Sequence, residues 1–220
     1  MRLFVGLVPP TAALDDLDAA CAPFRLARDD LRWTGRELWH LTLAFLGEVS
    51  EESLTGLVPG LERAAGRHRP FTLRVAGGGA FSNPARANVL WSGLSGDDGA
   101  LADLAATVAA AARRAGITPS DADRGFTPHL TLARCRAPVD VREIVARLDG
   151  YQGPGWTVEE IYLIHSTLQR QPRYKTLETW KLRSAALPAA LRLSPPPGAH
   201  AGRLRHRQDP GSVDYATDRA

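Results

Sequence analysis

The chain has 220 residues, 44% of them hydrophobic, which suits one domain of ordinary size or two small lobes sharing a core. No run approaches ~18 uninterrupted apolar residues, and the N-terminus enters a strand-like run with no cleavage site behind it, so neither a membrane span nor a signal peptide is expected and a cytoplasmic location is. The net charge of +3 is mildly basic, nearly all of the positive charge is Arg (Lys175 and Lys181 are the lysines), and two distant cysteines, Cys21 and Cys135, read as free thiols with no Cys-x-x-Cys to hold zinc.

Residues 2–8 alternate well enough for a first strand, which Pro9-Pro10 ends. Thr11 can cap a helix over 12–27, with Leu14 and Leu17 on its apolar face. A strand over 39–46 follows, closed by Gly47. Ser50-Glu51-Glu52-Ser53 has the form of a helix start with acids in the first turn, and Leu54, Leu57 and Leu61 carry that helix to about Gly66. Residues 71–75 form the next strand, Gly77-Gly78-Gly79 a flexible turn, and 88–92 another strand. Asp97-Asp98-Gly99 precedes an Ala-rich helix over 100–115, with Leu101, Leu104 and Val108 at helical spacing and Gly116 as its stop. A strand over 126–133, a short helix over 139–148 and strands over 156–164 and 174–182 complete the folded part, residues 1–183. Pro195-Pro196-Pro197-Gly198 and the Arg-rich run after it lack periodicity, so 184–220 is expected to be a disordered tail. The order predicts a mixed α/β fold of the α+β type, with hairpins as well as crossovers.

One tetrapeptide occurs twice, as His40-Leu41-Thr42-Leu43 and His129-Leu130-Thr131-Leu132. On a strand, side chains alternate with period two, so His and Thr share one face while the two Leu point into a core. The two strands occupy related places in the two halves of the sequence. That suggests a duplicated lobe with helices on the outer faces and a cleft between the sheets. A cleft with two His and two Thr can hydrolyse a cyclic phosphodiester in line. One imidazole takes a proton from water, the other protonates the departing oxygen, and the hydroxyls donate to the anionic non-bridging oxygens. Zinc would need a third ligand, and His68 and His165 qualify by residue type alone. No Gly-x-Ser-x-Gly is present for a serine hydrolase.

The segments Trp39-His40-Leu41-Thr42-Leu43-Ala44-Phe45-Leu46-Gly47-Glu48-Val49 and Phe126-Thr127-Pro128-His129-Leu130-Thr131-Leu132-Ala133-Arg134 resemble the signatures of the 2H phosphoesterase superfamily. More narrowly, they resemble the RNA 2′,3′-cyclic phosphodiesterases, also called 2′-5′ RNA ligases. Arg2-Leu3-Phe4-Val5, Gly79-Ala80-Phe81, Val89-Leu90-Trp91 and Tyr174-Lys175-Thr176-Leu177 with Trp180 agree, so the resemblance covers residues 1–183. It implies two pseudo-symmetric lobes of mostly antiparallel sheet around a central cleft. It implies opening of a 2′,3′-cyclic phosphate at an RNA 3′ end to a 2′-phosphate, with reversible 2′-5′ ligation. No metal or nucleotide cofactor is implied, the partner is RNA or a related nucleotide, and a monomer is expected. His40 and His129 take over the catalytic places, Thr42 and Thr131 the substrate-binding ones. His129 is assigned as acid and His40 as base. A related enzyme acting on small cyclic nucleotides or 2′-5′ oligonucleotides would share the fold, and so would an RNA-binding protein without turnover.

Around the motifs, Arg124 is favoured as the phosphate or RNA contact, because it precedes the second strand and can swing over the cleft. Arg134 is off the 129, 131, 133 parity unless a bulge re-aims it. Phe45 is off the His40 parity and is expected in the core; for Phe126 the core is favoured over a base-stacking or rim place. Tyr174 is a candidate rim or base-stacking aromatic. Arg86 is placed near backbone phosphates, and His165 is expected to be structural.

Overall fold

The computed structural model describes residues 1–120, 125–167 and 173–183. In chain order its elements are β1 (Arg2–Leu7), α1 (Thr11–Ala27), β2 (Leu31–Trp33), β3 (Leu41–Glu48), α2 (Glu51–Ala65), β4 (Phe71–Phe81), β5 (Ala87–Gly96), α3 (Asp98–Arg114), β6 (Leu130–Val139), α4 (Arg142–Leu148), β7 (Trp156–Val158), β8 (Glu160–Thr167) and β9 (Arg173–Lys181). The fold is mixed α/β, and every strand pairing among the described residues is antiparallel. The predicted tail, 184–220, lies outside the described residues. No helix among the described residues is long and apolar enough to cross a membrane.

The strands run in the order β7-β4-β5-β6-β3-β1-β8-β9, with β2 on the edge of β6. Two half-sheets meet at one place, where β3 pairs with β6 through Leu41 and Leu130 alone. Beyond that pair β2 takes over the β6 edge, matching Leu31, Arg32 and Trp33 to Cys135, Arg134 and Ala133. The strands carrying the motif therefore touch at the motif and then part.

Each half has its own core. In the first lobe, α2 and α3 place Leu57, Leu61, Leu104 and Val108 against Leu3, Val5, Leu43 and Leu163 of β1, β3 and β8. In the second, Leu14 and Leu17 of α1 and Ile144 and Leu148 of α4 cover Leu90, Leu130 and Leu132 of β5 and β6. The lobes are not the two halves of the sequence, as the repeated motif suggests, because the chain alternates between them. It begins in the first lobe, sends α1 to the second, returns for β3 and α2, crosses along β4 into β5, comes back for α3, crosses again for β6 and α4, and ends in the first with β8 and β9.

Local chemistry explains most of the element boundaries. Ser50 caps α2 as expected, its Oγ accepting from the Ser53 N–H at 3.2 Å, and Asp97 caps α3 through the Ala100 N–H. Thr11 is not a cap; it is the first residue of α1, and Pro10 holds the cap position with no side-chain bond. The Gly77-Gly78-Gly79 run is not a turn, because β4 passes straight through it. Gly77, at φ 68°, sits at a bulge in the pairing with β5. Gly79 makes room for the Trp91 ring, which a Cβ would meet at 2.2 Å. The predicted strand over 156–164 is two strands. β7 pairs with β4 in one half-sheet and β8 with β1 in the other, so the break at Glu159 is a passage between half-sheets. The short strand β2, between α1 and β3, has no clear periodic signal in three residues.

Candidate active site

Leu41, Leu43, Leu130 and Leu132 are all buried, and His40, Thr42, His129 and Thr131 lie partly open on the other face, as the period of a strand requires. With Leu41 opposite Leu130, antiparallel pairing puts His40 across from Thr131 and Thr42 across from His129. The two imidazoles occupy a diagonal, about 7–8 Å between backbone positions in a regular ladder. All four side chains line one cleft of about 1190 Å³.

The two rings are fastened in the same way. His40 Nδ1 is 2.7 Å from the Leu38 carbonyl oxygen, and His129 Nδ1 is 2.8 Å from that of Thr127. A carbonyl oxygen only accepts, so each Nδ1 carries the hydrogen and each Nε2 is left to the cleft. Aromatic walls hold the rings. His40 lies 4.5 Å from Phe4 and edge-on to Tyr174 at 5.1 Å; His129 lies edge-on to Phe81 at 4.7 Å, with Trp91 at 6.2 Å. Burial against these rings lowers both imidazole pKa values. His40 falls to about 4, with the charges of His129 and Arg134 adding to burial, and His129 is lowered by burial and by Arg134. The carbonyl bonds act in the opposite direction without overcoming this.

Both motif strands break parity at the same step. In the pairing with β1, Leu43 is an extra residue on β3; in the pairing with β5, Leu132 is the extra residue on β6. Each bulge buries two consecutive residues, Leu43-Ala44 and Leu132-Ala133, and turns the next side chain to the cleft. That corrects one expectation and meets the condition set on another. Phe45 is not core but lines the cleft, and Arg134 joins it there. Arg134 is thus a guanidinium that lines the cleft with both imidazoles and bears electrostatically on both, whereas Arg124, the favoured candidate, lies outside the described residues.

Of the other candidates, Tyr174 lines the cleft, its phenol held above its usual pKa by burial. Phe126 is not core; it is 39% exposed and does not line the cleft. Arg86, in a short turn of helix before β5, and His165, on β8, do not line it either. Residues that sequence reasoning passed over, Arg2, Arg32, Glu37, Ser166 and Arg173, do. Four guanidinium groups against one carboxylate make this an anion site. Among the described residues, no group of three or more His, Cys, Asp or Glu side chains is placed to hold a metal ion. Cys21, buried, and Cys135 are both free thiols.

The model of one family, described as the 2′-5′ RNA ligase superfamily, matches residues 10–170. The chain belongs to that superfamily. Among other members, an RNA 2′,3′-cyclic phosphodiesterase of Thermus thermophilus is 33% identical over 190 residues, covering 83% of this chain and 91% of its own. A crystal structure of TT0787 from Thermus thermophilus superposes with TM-score 0.67 at 31% identity, covering 84% of this chain and all of that one. E. coli LigT complexed with 3′-AMP superposes with TM-score 0.66 at 29% identity, covering 82% and 97%. The fold is thus shared with these solved structures over more than four fifths of the chain.

Proposed function

We propose that this superfamily member hydrolyses the terminal 2′,3′-cyclic phosphodiester of RNA to a 2′-phosphomonoester, and that a 5′-hydroxyl taking the place of water at the same site, with O3′ again leaving, forms a 2′-5′ bond reversibly. The observation that carries the reading is the matched pair of Nδ1–H bonds to backbone carbonyls, which leaves two Nε2 atoms facing one basic cleft. In the hydrolysis, His40, the more strongly neutral ring, accepts a proton from water through Nε2. The water oxygen bonds to phosphorus as the bond from phosphorus to O3′ breaks. His129, protonated at both nitrogens, gives its Nε2 proton to O3′. The cycle leaves His40 protonated and His129 neutral, and exchange with solvent resets both. Thr42 and Thr131 donate hydroxyl hydrogens to the non-bridging oxygens, and Arg134 balances the charge that grows there. The bound phosphate itself raises the pKa of His129, so the acid is charged when it is needed. One chain supplies both imidazoles and both hydroxyls, in keeping with a monomer as the working unit.

The test is incubation with an oligoribonucleotide ending in a 2′,3′-cyclic phosphate, with the monoester isomer identified by phosphorus NMR. The 2′-phosphate is expected, and a 3′-phosphate would reverse the leaving group assigned here. His40→Ala and His129→Ala should each lower kcat by roughly 10²–10⁴ while RNA binding persists. If wild-type protein binds the RNA and turns over none of it, the catalytic reading fails.

A further inference from the structure

The bulges that bring Phe45 and Arg134 into the cleft make them counterparts, each five residues beyond its His and one beyond its buried pair. In the second lobe that place is filled by a guanidinium directly. In the first it is filled by a ring, and the ring carries a guanidinium of its own: Arg2 Cζ lies 4.8 Å from the Phe45 centroid. Such a contact holds the planar fork in place without consuming its donors. Arg2 forms no ion pair with any carboxylate among the described residues, and its Nε is buried with no partner. It lines the same cleft as the His pair.

The two arginines do not stand at the same distance from the chemistry. Arg134 acts electrostatically on His40, His129 and Tyr174; Arg2 acts on Tyr174 and on neither imidazole. The strand places them accordingly: along β1, Gly6 pairs with Thr42, Phe4 with Phe45 and Arg2 with Glu48, and Phe4 is the ring that packs on His40 and Tyr174, so Arg2 stands two residues further from the motif than Phe4 does. In an RNA 3′ end, the anion one step from the cyclic phosphate is the diester on O5′ of the terminal nucleoside. A free cyclic mononucleotide has only a hydroxyl there.

We propose that Arg2, laid over Phe45, binds the phosphate on the 5′ side of the terminal nucleoside and so makes the site select RNA ends over free 2′,3′-cyclic mononucleotides. The assignment rests on the cyclic-phosphate reading of the cleft. Arg2 is a specificity residue: the charge-assisted bonds it makes to the 5′ phosphate should give a discrimination of roughly tenfold or more.

The test compares adenosine 2′,3′-cyclic phosphate with the same compound bearing a 5′-phosphate. The wild type should show a kcat/KM ratio of at least about ten in favour of the 5′-phosphorylated compound. Arg2→Gln should bring the ratio close to one, and Arg2→Lys, which keeps the charge but loses the planar fork, should fall between. A wild-type ratio near one overturns the proposal. So does an Arg2→Gln protein that slows equally on both compounds, since Arg2 would then serve the reacting phosphate. If the wild type turns over neither compound, the cyclic-phosphate reading fails on its own account, and binding decides the assignment of Arg2. Adenosine 3′,5′-bisphosphate should then bind more tightly than 3′-AMP to the wild type and equally to Arg2→Gln; an advantage that survives in the variant overturns it. A thermal melt of each variant checks that the comparison is made on folded protein.

Discussion

The imidazoles of the free protein are held neutral by their surroundings. Burial against Phe4 and Tyr174, with positive charge nearby, puts His40 at about 4, and burial with Arg134 lowers His129 from its ordinary 6.5. The pH dependence of kcat/KM follows, because it reports groups of the free protein. The base must be neutral, which His40 is above about 4, and the acid must be charged, which His129 is only below its lowered pKa. The profile should be a bell with its maximum on the acid side of 6.5. Arg134→Gln removes a positive charge that disfavours both protonated rings, so both limbs should move to higher pH while kcat/KM falls. A profile whose limbs stay in place would show that Arg134 does not face the rings. His40 also links folding to pH. Its pKa is lower folded than unfolded, so its contribution is present above 6.5 and is lost as pH falls toward 4. His40→Asn, which cannot titrate, should flatten the decline of the urea midpoint between those values relative to wild type.

At the scale of the strand, the site depends on where pairing becomes irregular. Period-two alternation made His40, Thr42, His129 and Thr131 legible in the sequence, and the repeat made them a pair. The same alternation misplaced Phe45 and left Arg134 off the cleft, because a bulge adds one residue without any composition that marks it. The glycine run in β4 was misread for a related reason. Three glycines signal a turn when only local preference is considered, but Gly79 answers a neighbour 12 residues away, the Trp91 ring. The break between β7 and β8 was hidden because both strands are apolar and only their partners differ. Gly79→Ala tests the wall this packing builds. The new methyl must push the Trp91 ring, at a cost of about 1–3 kcal/mol, and Trp91 with Phe81 supports His129. Melting temperature and kcat should fall together. Gly99→Ala, where a Cβ meets nothing within 4 Å inside helix α3, should hold or raise the melting temperature and leave kcat alone.

At the scale of the molecule, the chemistry sits on a seam. Two lobes with separate cores share one registered pair, Leu41 with Leu130, and the reacting groups flank it. A seam this thin would let the lobes melt apart if each were a continuous piece of chain. They are not continuous: the chain crosses between them at α1, β3, β4, α3, β6 and β8. Strand β4 gives Phe71 and Leu73 to one core and Val75 to the other, and Leu94 and Trp156 pack against both. Neither lobe can unfold without pulling strands from its partner, so unfolding should be one transition. Leu61→Ala removes a fully buried side chain from the first core and Leu90→Ala one from the second. Each should cost about 2–5 kcal/mol and lower the midpoint of the same single transition, followed in urea by tryptophan fluorescence and far-UV circular dichroism. Two resolved transitions, with each variant moving only one, would mean that the interleaved strands do not couple the lobes. The diagonal of His40 and His129 would then be held by the Leu41 and Leu130 pair alone, and turnover should be lost with the first of the two transitions.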